Sequence, residues 1–393
     1  MPSGAREDTD AQRIAVPLLI GINFLAFIGI QASRIVFSLY ALSIGATPSA
    51  VGGILATLFI FPVLLSWPAG VLSDRFGAVR LLVPSLAAGA LGLTLPHFMP
   101  SLASLYIAGA LIGLVITTVT VTVQNLIGVL STADRRAANF SNLTLFGSAT
   151  MFVGPLLAGL AIDHLGASAA CLIIAGVLLL GIAGLWRWGH TLPRGLTGNK
   201  ARVNILATLS DRRLWPVLIV SSLSQVAMDV FQAFVPIQAH GLHLSASLIG
   251  VVMAVFAIGM MAVRMVLVQL VRLARGEARL LSVAFFIALG TFVLVPLAPG
   301  AVSLSCVGFC FGLMLGCIQP LILMLMFETA QEGRAGEAIG LRLTINNIAR
   351  IIAPAAFGVL ASAASLMAVF WVNAALLGVG GAVARPKKTA PAR

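Results

Sequence analysis

Twelve times along this chain a run of apolar residues reaches the length that a helix needs to cross a hydrocarbon core, about 20 residues. The runs are 15–40, 50–72, 79–99, 102–130, 139–162, 168–188, 214–238, 247–271, 280–297, 301–327, 338–361 and 365–384. In lipid every backbone donor and acceptor must be satisfied within the segment, and continuous rather than alternating apolar runs satisfy them as helices. Composition points the same way: 60% of the 393 residues are hydrophobic and 9% are charged, where a soluble domain carries about 25% charged residues. The chain is expected to be an all-α integral membrane protein.

Short polar or Gly/Pro turns join the runs, with one exception. The segment Gly189 to Arg213, GHTLPRGLTGNKARVNILATLSDRR, is long and divides the spans six and six. The expected organisation is a six-helix bundle over residues 1–188, a linker over 189–213 and a second six-helix bundle over 214–393.

Lys and Arg near span ends are retained in the cytoplasm. Alternate loops hold nearly all of them: Arg6 and Arg13, Arg75 and Arg80, Arg135 and Arg136, Arg187 to Arg213, Arg272, Arg275 and Arg279, Arg334, and the tail ARPKKTAPAR. The opposite loops ALSIGATPSA, PHFMPS, DHLGAS, AHGLHLSAS, APGA and SAAS hold none. Both termini are therefore expected in the cytoplasm, in a multi-pass plasma (inner) membrane protein. The net charge of +12 is thereby a matter of topology, and no nucleic-acid partner is expected. With the polar start MPSGAREDTD, no cleavable signal peptide is expected.

The halves repeat each other. At an offset of about 196, Gly45 pairs with Gly241 and Ser49 with Ser245. At 199, Gly109 and Gly113 pair with Gly308 and Gly312, Arg135 with Arg334, Pro155 with Pro354, and Gly159 with Gly358. Two six-helix units of equal orientation form the parallel-repeat plan of a transporter, whose substrate site lies near the bilayer midplane.

Inside this oily sequence sits a charged island, Gly70 to Arg80, GVLSDRFGAVR. It resembles the signature G-x-L-x-D-R-x-G-x-x-R of the major facilitator superfamily, in the loop between spans two and three where that signature belongs. The resemblance extends over the whole chain and implies that fold, with two pseudo-symmetric bundles and alternating access. Physically, Gly70 removes a side chain where helices approach, and Gly77 permits the turn. Asp74 can accept hydrogen bonds from a helix N-terminus, which the resemblance places on the eleventh helix near Gly336, and Arg75 and Arg80 can pair with acids or lipid phosphates. In the second half the motif has decayed to QLVRLARGEAR. A solvated turn is the plain alternative.

Span five contains GSATMFVGPLLAG, with Gly147, Gly154, Pro155 and Gly159. It is similar to the Gly-Pro pattern of proton-driven exporters, though its glycines are spaced more loosely, and close helix packing explains it equally well. Span four lacks the basic residue that exporters carry near its start, where Ala110 stands. Gly109, Gly113, Gly154, Pro155, Gly308, Gly312 and Pro354 are read as helix-packing positions.

Ionisable groups inside a bilayer are costly, about 2.5–3.5 kcal/mol each on insertion scales, so those that remain are functional candidates. They are Arg34 in span one, Asp229 in span seven, Arg264 in span eight and Arg350 in span eleven. Superimposing the halves at the loop glycines sets Arg34 within one residue of Asp229, so the two are expected to face each other across a central cavity. A carboxylate that can lose and regain an Arg partner suits a proton carrier; a static ion pair is the alternative. Arg350 reads either as an anion contact or as a structural Arg bonded to carbonyls or to Asp229. Arg264 reads as structural. Gln31, Asn125, Gln225 and Gln319 are expected along the substrate path, with Asn23, Gln124, Gln232, Asn346 and Asn347 as further polar contacts.

No catalytic constellation appears. The five histidines are dispersed, the four cysteines lie within spans, no spacing fits a metal site, and no Gly-Lys-Ser/Thr motif offers an ATP site. The expected energy source is a proton gradient with no cofactor, and the expected partners are a small-molecule substrate and the lipid bilayer, the protein acting as a monomer. Three functions compete: proton-coupled export of small amphipathic compounds; transport of organic anions, carboxylate or siderophore-like, through Arg34 and Arg350; and a sensor or scaffold that moves no solute.

Overall fold

The computed structural model describes residues 4–65, 77–131, 133–193, 211–329 and 335–385. Gly70, Asp74 and Arg75 of the charged island lie outside the described residues, as does most of the expected linker. Every regular element among the described residues is helical. Twelve of these helices are long and apolar enough to span a membrane: Ile14–Ser43, Pro48–Leu65, Ala78–Phe98, Leu102–Leu130, Ala138–Leu165, Ala167–Thr191, Trp215–Gly241, Ala246–Met265, Glu277–Leu297, Ala301–Met326, Ala338–Ala363 and Leu366–Val383. They are spans one to twelve below.

The eighth span is shorter than its apolar run. A 3-10 turn over Val263–Met265 breaks the helix, and a separate helix, Leu267–Ala274, follows with no buried residue. By Met265 the span has run 20 residues, enough to cross the hydrocarbon core, and the short amphipathic helix beyond it, with Gln269 and Arg272, suits the interface.

The chain divides into two compact units, Met1–Lys200 with Ser245–Val251, and Ala201–Leu244 with Val252–Arg393. In the first, span one packs against spans four, five and six, and span three against four and six. In the second, span seven packs against ten, eleven and twelve, and span nine against ten and twelve. The pairings are the same once six is added to each span number.

Local geometry corrects the register of the repeat. Gly45 takes φ +82° after span one, and the corresponding left-handed residue after span seven is His243, at φ 57°, not Gly241. Two residues on, Thr47 caps span two by accepting from the Ala50 amide, and Ser245 accepts from the Leu248 amide in the same way. The offset here is thus 198 rather than 196, because it is the turn and its cap that recur, and Gly241 belongs to the end of its helix as Ser43 does to its own. At this register Asp229 corresponds to Gln31, and Arg34 to Gln232. At this register Arg34 and Asp229 fall three residues apart on superposition rather than one.

At spans three and nine the offset is 199. Gly77, at φ +82°, and Gly276, at φ +133°, occupy the N-cap positions, where an L side chain would be strained. The decayed motif of the second half therefore retains Gly276 and Arg279 for Gly77 and Arg80, and has Leu273 where the first half has Asp74.

Candidate functional site

Span seven carries Ser221, Gln225 and Asp229 at intervals of four, a spacing that lines them along one face of a helix. Span eleven carries Asn346 and Arg350 at the same interval. The two stripes meet. The Asn346 amide donates to the Ser221 hydroxyl at 3.1 Å. One long turn further, Arg350 Nε lies 3.5 Å from Asp229 Oδ2, and the Gln225 amide donates to the same oxygen at 3.0 Å. The carboxylate side chain is 3% exposed and the guanidinium side chain 29%. Asp229 is therefore held from two sides, while the Arg350 side chain stays partly accessible.

The opposite face of span seven is aromatic. Phe231, two residues beyond Asp229, packs its ring 4.7 Å from Phe256 and 4.9 Å from Phe311, and Phe311 lies 4.8 Å from Phe292. These rings are all fully buried. They fix the rotation of span seven, and that rotation sets Asp229 toward span eleven.

The first unit arranges its candidates differently. The Arg34 guanidinium stands over the Phe59 ring, 5.2 Å from its centroid, a cation–π geometry in which span two supports the charge of span one. Gln31 lies one turn earlier on the same helix, against Gly154 of span five: a Cβ at Gly154 would come within 2.6 Å of the Gln31 Cβ and 3.0 Å of the Ile28 carbonyl. Asn125 and Gln319, in spans four and ten, are half-buried. Arg264 falls in the 3-10 turn that ends span eight. The structure thus brings together Gln225, Asp229 and Arg350 in one unit, and Gln31 with the Gly154 packing position in the other.

The Gly-Pro stretch of span five has a specific neighbour within the first unit. Pro155, Gly159 and Asp163 form another stripe at intervals of four, and residues 246–250 lie along it. A side chain at Gly159 would run into the Ala246 carbonyl, and one at Gly250 would come within 2.6 Å of the Pro155 carbonyl. Asp163 closes the stripe: its two carboxylate oxygens accept from the Ala246 amide at 2.9 Å and the Ser247 amide at 2.7 Å. A carboxylate from one helix thereby caps the first turn of another, satisfying donors that have no intrahelical acceptor.

Three contributors escaped the sequence reading. Asp163, in the last turn of span five, falls in the stretch DHLGAS, which reads as merely lacking basic residues, and Ser221 lies in a span whose Gln and Asp residues are more conspicuous. Asn373, within span twelve, is 0% exposed, and among the described residues neither atom of its amide has a hydrogen-bond partner. A single Asn in a run as apolar as WVNAALLG was the available signal.

A family model described as Major Facilitator Superfamily matches residues 19–354. No curated protein sequence matches the chain. Among solved structures, the fold resembles a bacterial homolog of the human lysosomal transporter Spinster in an inward-facing and occupied conformation, with TM-score 0.79, 13% identity, and coverage of 95% of this chain and 96% of that one. It resembles the nucleoside transporter NupG with TM-score 0.78 and 13% identity, covering 94% and 98%. It also resembles a POT family transporter in complex with 5-aminolevulinic acid, with TM-score 0.77 and 12% identity, covering 94% and 95%. At such identities the likeness is one of fold.

Proposed function

Because this chain belongs to the major facilitator superfamily and is thereby a secondary transporter, we propose that it couples proton movement to the export of small amphipathic compounds across the plasma membrane, with both termini in the cytoplasm. The observation that carries the reading is the buried Asp229 carboxylate, shared between the Gln225 amide and the Arg350 guanidinium. In this reading the carboxylate alternates between a form paired with Arg350 and a proton-carrying form that releases it. Switching between them converts a proton into a change in how spans seven and eleven are tied, which is the kind of differential contact that coupling requires.

The test is reconstitution into vesicles with an imposed pH gradient and a panel of amphipathic substrates. Asp229→Asn is expected to abolish accumulation against a gradient while retaining exchange down it, because the amide mimics the protonated acid and still accepts from Gln225. A variant that concentrates substrate as well as the parent, with the same pH dependence, sinks the proton-carrier role.

One observation favours a second reading, transport of organic anions. The partly exposed member of the pair is Arg350, a planar donor fork suited to carboxylates, and an anionic substrate could displace Asp229 from it. Under that reading a labelled organic acid, rather than an amphipathic cation, is taken up by the same vesicles, and Arg350→Lys loses its binding.

A further inference from the structure

At one end of the first unit a cavity of about 300 Å³ opens between the start of span three and the end of span six. Its walls are apolar, with Val79 on one side and Leu185 and Leu192 on the other. Its polar members are Arg80 and His190, and the indole of Trp186, 88% exposed, stands among its lining residues. Gly189 makes the closure possible: a Cβ there would lie 3.0 Å from Val79, so the chain crosses span three with no side chain between. Among the described residues no hydrogen bond or ion pair engages the side chain of Arg80 or His190.

Two spans end at this level, one beginning at Ala78 and the other finishing at Thr191, which puts the cavity in the headgroup layer of the bilayer rather than at its midplane. An exposed Trp is the residue type of that layer. The combination is selective. A hydrated cytoplasmic anion gains nothing from apolar walls, and an acyl chain gains nothing from a guanidinium, whereas a phospholipid uses both. Basic pockets between membrane helices hold anionic headgroups in this way.

We propose that the cavity is a binding site for one anionic phospholipid, its phosphate set against Arg80 and His190 and the start of its acyl chain along Leu185 and the Trp186 indole. The site shares no residue with the Asp229 cluster and makes the last Arg of the charged island a lipid contact. Arg187, whose guanidinium stacks over Trp188 at 5.5 Å, belongs to the same end of span six but does not line the cavity. It therefore controls for charge alone.

The experiment is native mass spectrometry of the purified full chain, delipidated in detergent and titrated with phosphatidylglycerol or phosphatidylcholine, with melting temperatures recorded for each variant. One phosphatidylglycerol is expected to bind in preference to phosphatidylcholine. Arg80→Gln should weaken it about fivefold, the scale of one surface cation, His190→Gln should weaken it as well, and Arg187→Gln should leave it unchanged. Should Arg80→Gln fail to fold, His190→Gln and Trp186→Ala carry the same comparison. Equal losses in Arg80→Gln and Arg187→Gln would reduce the site to general attraction of the basic end and overturn the proposal. Displacement of the lipid by millimolar inorganic phosphate would overturn it too, by making the ligand a free anion.

Discussion

Span four meets span two through Gly109 and Gly113, and span ten meets span eight through Gly308 and Gly312, so the two units use the same pair of bare positions for the same crossing. What fills the surrounding space differs. In the first unit a Cβ at Gly109 would strike the Thr57 hydroxyl and lie 3.1 Å from the Ile54 carbonyl, whereas at Gly308 the nearest atom is the tip of the Phe231 ring, at 3.3 Å. Both units close backbone against backbone at the second glycine of the pair, Gly113 on the Leu58 carbonyl and Gly312 on the Phe256 carbonyl, and the first unit adds hydroxyls such as Thr118, which donates to Ser85 at 2.7 Å. The second unit adds rings instead, with Phe231, Phe256, Phe292, Phe311 and Phe370 in one connected cluster. A repeat thus preserves where helices cross while the material between them is free to change, because glycine fixes an approach distance and a phenyl ring only occupies volume.

The largest expected effect tests the aromatic side. Phe311→Ala should cost about 2–4 kcal/mol of unfolding free energy in detergent, somewhat below the loss seen in water-soluble cores because an unfolded side chain still resides in an apolar medium. Phe146→Ala, which removes half of the 5.7 Å edge contact with Phe24 in the first unit from an exposed position, should cost about 1 kcal/mol. Equal losses would mean that the ring cluster packs no more tightly than a surface pair.

The glycines provide the next contrast, in the opposite direction. Gly109→Ala should destabilise by about 1–3 kcal/mol through overpacking, and Gly308→Ala by under about 1 kcal/mol, since a ring tip yields where a carbonyl cannot. Paired thermal melts of the two variants decide this, and a larger loss at Gly308 would mean that the ring tip there yields less than the hydroxyl and carbonyl facing Gly109.

The smallest effect concerns the Asp163 cap, which has no acidic counterpart 199 residues on, where Ser362 stands. Asp163→Ala should cost about 1 kcal/mol, the usual value of a cap, and Asp163→Asn less, since one carbonyl oxygen still accepts. The sharper readout is labelling of a cysteine placed at Ser245, which should speed up in Asp163→Ala as the first turn of span eight frays. An unchanged labelling rate would make the two short hydrogen bonds dispensable.

The sequence alone was enough for class, span number and repeat. Twelve apolar runs can satisfy their backbone only as helices, and that requirement does not depend on what each helix touches. It also singled out Asp229 and Arg350, because charge inside hydrocarbon is expensive wherever it lies. What it could not supply was partnership. Identity aligns the glycines at 45 and 241, whereas the left-handed turn at His243 and the cap at Ser245 align by geometry two residues further on. The pair with Arg350 depends on how span seven is rotated, and a ring cluster on its far face sets that rotation. The cap of Asp163 on Ala246 and Ser247 joins residues more than eighty positions apart, through backbone donors that any sequence possesses. Composition and spacing fix what each helix must do for itself; which helix answers another's polar groups is decided by packing, where side-chain volume and backbone approach act over distances the linear order does not record.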